Sequence, residues 1–123
     1  MPHPENVFNT ALSEFRSPAL FDQAKDRALD YMNEIHGETS QENPRPVYPN
    51  QSALDGLSAF DEPLPKDPGS SREILDLLHT FGSPATVAQT GGRYFGFVNG
   101  SAFPAALAAK WLADVWDQNA GLH

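Results

Sequence analysis

A mostly helical chain, with its helices joined by extended proline-rich connectors, is the fold class predicted here. Three observations predict it. Apolar residues recur at steps of three and four in several stretches. Helix start and stop residues (Ser-Pro, Ser-x-x-Glu, Gly) bracket those stretches. Between them lie segments carrying Pro44, Pro46 and Pro49, and then Pro63, Pro65 and Pro68, where helix cannot continue.

The elements follow in order. Residues Pro4 to Phe15 read as a short helix with Phe8, Leu12 and Phe15 on one face. Ser17 is a predicted N-cap and Pro18 the first helical residue. The helix that follows is marked by Phe21, Ala24, Ala28, Met32 and Ile35, and Gly37 terminates it just after His36. Arg45-Pro-Val-Tyr-Pro49 must be extended, since each proline pushes its predecessor out of the helical region. A short helix over Ser52 to Phe60 precedes the irregular run Asp61 to Gly69. Ser70-Ser-Arg-Glu73 is a capping box opening a helix with Ile74, Leu77, Leu78 and Phe81 on one side, closed by Gly82. Ser83-Pro84 starts a further short helix up to the Gly91-Gly92 break. Tyr94 to Val98 is aromatic and β-prone, the one expected strand. A last helix from about Pro104 to Gln118, with Ser101 and Pro104 as its start signals, presents Leu107, Trp111, Leu112 and Val115 among alanines.

Composition narrows the class. The 123 residues carry eight basic and sixteen acidic side chains, a net charge of −8, which disfavours nucleic-acid phosphates and anionic membranes. Cysteine is absent, so there are no disulfides and no thiolate metal sites, as in a reducing compartment. No secretory signal pattern opens the chain and no apolar run approaches the ~20 residues of a membrane span. The expectation is a soluble, cytoplasmic protein. The two connectors, each of about a dozen residues, are long for a compact domain and favour an arm that wraps around a partner.

No catalytic constellation assembles from spacing. The four histidines are scattered without metal-ligand spacing, and Asp76 and His79, one helical turn apart, read as a surface contact. Arg93-Tyr-Phe-Gly-Phe-Val-Asn-Gly100 partly resembles an RNA-recognition pattern. Tyr94 stands where glycine is expected and Gly100 where an aromatic is expected, and a sheet is lacking. As a pocket-lining loop the same stretch would set Phe95 and Phe97 on one side, with Gly96 and Gly100 allowing close backbone approach. A simple buried strand leading into a helix is the plainer alternative.

The order of the pieces carries a family resemblance. Arg93-Tyr-Phe-Gly-Phe-Val-Asn-Gly-Ser101 through Trp116-Asp-Gln-Asn-Ala-Gly121 resembles the N-terminal part of the group II pyridoxal-phosphate-dependent amino-acid decarboxylases. Upstream, a helix, Arg45-Pro-Val, Phe60-Asp-Glu-Pro-Leu-Pro65 and Glu73-Ile-Leu follow in similar order, so the resemblance covers nearly the whole chain. Where the family often has His-Pro before the aromatic run, this chain has Gly91-Gly92.

The resemblance implies an N-terminal helical arm over residues 1–92 and the start, over 93–123, of the large domain of an aspartate aminotransferase-like fold. It implies a lyase of amino-acid metabolism, working as a homodimer on a small amino acid with pyridoxal phosphate as cofactor. Phe97, Val98, Asn99 and Asn119 match substrate-pocket positions. None of Lys25, Lys66 and Lys110 matches the cofactor lysine, so no catalytic, cofactor-binding or metal-binding residue is expected in this chain. It is expected to be a fragment that lines the pocket and wraps the dimer, inactive alone. A stand-alone helical interaction module without activity is the rival.

Overall fold

The computed structural model of the chain describes residues 4–66, 69–97, 102–119 and 121. It is mostly helical, and no strand occurs among the described residues. The chain divides into two compact units, Met1–Ala88 and Gln89–His123.

In the first unit, α1 spans Pro4–Arg16 and α2 spans Ala19–His36. The start of α2 lies one residue later than Ser17-Pro18 predicts: Pro18 takes the cap position, without a side-chain cap bond, and Ala19 is the first helical residue. Ser17 Oγ accepts from the Ala19 amide at 3.4 Å, and the Pro18 carbonyl already accepts from Asp22 at 2.8 Å. Gly37 closes α2 through its N–H to the Asn33 carbonyl at 2.9 Å, with an extended backbone rather than a left-handed one. Glycine is required there for space. A Cβ would lie 2.8 Å from the Asn33 carbonyl oxygen and closer still to its amide oxygen. The side chain can swing away, but the carbonyl is fixed in the last turn. Gly37→Ala is expected to cost about 1–2 kcal/mol, read as a lower urea midpoint by circular dichroism; an unchanged midpoint would show that this turn yields freely.

A short α3, Thr39–Glu42, packs back on α2. An irregular segment over 43–50, with bends at Asn43, Val47 and Tyr48, leads to α4, Gln51–Asp55, which the Asn50 side chain caps by accepting from the Ala53 amide at 2.8 Å. The helix expected over 52–60 is split: beyond α4 the chain tightens into a 3-10 turn, Gly56–Phe60. The capping-box serine is confirmed in position, Ser70 Oγ accepting from the Glu73 amide at 3.4 Å at the start of α5, Ser71–Leu77. The helix then widens into a π turn, Leu78–Gly82, and ends in a 3-10 turn, Ser83–Ala85.

The packing of this unit is light. α2 lies against α5, and the Gly56–Phe60 turn lies against the π turn. There the two aromatic rings each approach the other segment's glycine: a Cβ on Gly56 would sit 3.4 Å from Phe81 Cδ1, and one on Gly82 3.6 Å from Phe60 Cζ. Ala88, 4% exposed, is the one buried hydrophobic among the described residues. The apolar stripe of α2 is at best half-buried, with Ala24, Met32 and Ile35 partly covered and Phe21 and Ala28 open.

In the second unit, Gly91 to Tyr94 forms a turn, the Tyr94 amide donating to the Gly91 carbonyl at 3.3 Å. The expected strand from Tyr94 does not form. Instead the Tyr94 ring folds over Gly96, so close that a Cβ there would lie 2.6 Å from Cζ. A strand needs a ladder partner for its backbone groups, and the described residues contain no other strand to supply one. Its last residue, Val98, lies outside the described residues, as do Gly100 and the expected cap Ser101. α6, Pro104–Trp116, begins with Pro104 at its first position and ends at Asp117, whose φ of 47° is left-handed, a conformation that aspartate tolerates better than most.

Candidate functional site: the aromatic turn, α6 and the Arg45 network

Two of the four residues matched to a substrate pocket fall among the described residues. Phe97 sits at the end of the aromatic turn with its side chain 88% exposed and φ of 34°. Positive φ is uncommon for a bulky side chain and costs about 1–2 kcal/mol. A strained aromatic held open to solvent is a feature more typical of binding segments than of core. Asn119 follows α6 by three residues and is exposed. Val98 and Asn99 lie outside the described residues.

Along α6 the apolar side chains are partly to largely exposed, from Trp111 at 44% to Val115 at 67%. Every residue of the helix is exposed, and its charged pair, Lys110 with Asp114 at 2.9 Å, is the one-turn surface contact that the spacing suggests. A helix of this length is marginal in water without tertiary contacts.

The first unit holds a polar network that spacing alone did not reveal. The Arg45 side chain is only 9% exposed. Its guanidinium pairs with Glu34, donates to the Ser83 carbonyl and to Ser83 Oγ (3.2 Å), and stacks 4.3 Å above the Tyr31 ring. Tyr31 and Thr86 hydroxyls meet at 3.3 Å, and the Ala88 amide donates to Val47 at 2.9 Å. Together these tie the proline-rich connector to α2 and to the turn after α5. The legible signal would have been Tyr31 and Glu34, three apart on α2, facing the arginine of Arg-Pro-Val.

Beside this network lies a cleft of about 370 Å³ lined by Glu34, Pro44, Arg45, Pro49, Asn50 and Pro84, among others. Glu34 and Arg45 neutralise one another there, and proline side chains bring no donor or acceptor, so the cleft is poorly equipped for acid–base or nucleophilic chemistry.

A second cross-link joins α2 to α5. Asp76 accepts from Gln23 Nε2 at 2.8 Å and from Arg27 at 3.3 Å. This replaces the Asp76–His79 contact suggested by their spacing: the carboxylate turns to the neighbouring helix, which supplies two donors.

The lysines define what the chain can hold. Lys25 pairs with Asp22 at 2.9 Å and Asp26 at 3.8 Å. The Asp22 hydrogen bond, then the charges of Asp22 and Asp26, raise its pKa above the ordinary lysine value. A Schiff-base lysine needs the opposite shift, toward a neutral amine. Lys110 is engaged with Asp114, and Lys66 lies exposed in the irregular segment after Phe60. None of the three lysines is held in surroundings that favour a neutral, Schiff-base-forming amine.

No helix among the described residues is long and apolar enough to cross a membrane. No family model matches the chain, and no curated protein or solved structure is significantly similar to it.

Proposed function

We propose that this chain is the N-terminal arm and the beginning of the large domain of a pyridoxal-phosphate-dependent amino-acid decarboxylase, a carboxy-lyase acting as a cytoplasmic homodimer. Its own part is to wrap the dimer and to line the substrate pocket through Phe97, Val98, Asn99 and Asn119. The ordered resemblance from Arg45-Pro-Val to Asn119 supports the assignment. The observation that carries it physically is α6: a helix apolar on most of its surface yet exposed throughout, as expected of an element meant to lie inside a larger body.

On this reading the cofactor supplies the electron sink for the carbanion left by CO2, and its lysine, acid and phosphate site belong to the remainder of the enzyme. Mixing the chain with pyridoxal phosphate is expected to produce no visible Schiff-base absorbance and no CO2 from any amino acid. The chain continued by a large α/β domain is expected to produce both. Cofactor absorbance from the chain alone would overturn the reading.

The Arg45 network favours a second reading, a stand-alone helical interaction module, because it gives the first unit contacts of its own. Hydrogen exchange separates the two. A module folds alone, with slow amides in α6 as well as α2 and α5, whereas a detached segment exchanges rapidly through α6.

A further inference from the structure

We draw no further inference here: the strongest candidate, the uncovered apolar face of α6 running through Ala105, Ala108, Leu112, Val115 and Trp116, belongs to the surface on which the proposed function already rests, and nothing in the structure shows what covers it.

Discussion

Arg45→Ala is expected to release the proline-rich connector from the first unit, at a cost of about 2–3 kcal/mol. The substitution removes charge-assisted hydrogen bonds to Glu34 and Ser83 and the stack on Tyr31, and leaves the Ser83 carbonyl without that donor. The Glu34 carboxylate is 43% exposed and regains water, which holds the cost at the lower end of what breaking a buried pair brings. Arg45→Lys is expected to recover little, because an ammonium cannot serve two acceptors in a planar fork while stacking on a ring. The readout is exchange of the Ala88 amide, which bonds to Val47 two residues along the same connector. Acceleration by about 30- to 150-fold is the counterpart of that cost if exchange follows opening of this unit. Wild-type protection of Ala88 in the alanine variant would show that the prolines hold the connector unaided.

The second large effect concerns α6. The chain by itself is expected to self-associate at micromolar concentration, because Leu112, Val115 and Trp116 on α6 are more than half exposed. Replacing Leu112 and Val115 with glutamate is expected to weaken that association by at least about 100-fold, given roughly 1.5–3 kcal/mol for each side chain withdrawn from an apolar contact. Sedimentation velocity across a dilution series reads both states. On the decarboxylase reading proposed above, the same pair of substitutions placed in a chain continued by a large domain is expected to abolish folding rather than improve solubility, since the face would then be interior. A wild-type chain that sediments as a monomer and melts cooperatively would remove the physical basis of the decarboxylase assignment.

Local chemistry was legible in the sequence wherever a residue acts on its near neighbours. Ser17-Pro18, Gly37, Ser70 with Glu73, and Pro104 each mark a helix boundary through bonds made within four residues, and the structure places boundaries at or beside all of them. The Lys110–Asp114 pair, one turn apart, is of the same kind. The split after Asp55 and the π turn at Leu78–Gly82 were not legible, because both lie where two segments press glycine and aromatic side chains together. The strand from Tyr94 failed for a related reason: β propensity describes a residue's fit to a sheet, and here no neighbouring strand accepts its backbone. Of the candidate pocket, Phe97 was legible as a residue type at a glycine-flanked position. Its positive φ was not, because backbone strain has no composition signature.

The sequence by itself determined a predominantly helical chain, most of its caps and breaks, and its acidity, since all of these depend on residue identity and short spacing. Only the tertiary structure decided that Arg45 binds Tyr31, Glu34 and Ser83, that Asp76 turns to Gln23 and Arg27 rather than His79, and that the apolar face of α6 stays open. Those outcomes bring together residues up to 53 positions apart, and which long-range partners meet is set by how whole helices pack, a property no single residue carries.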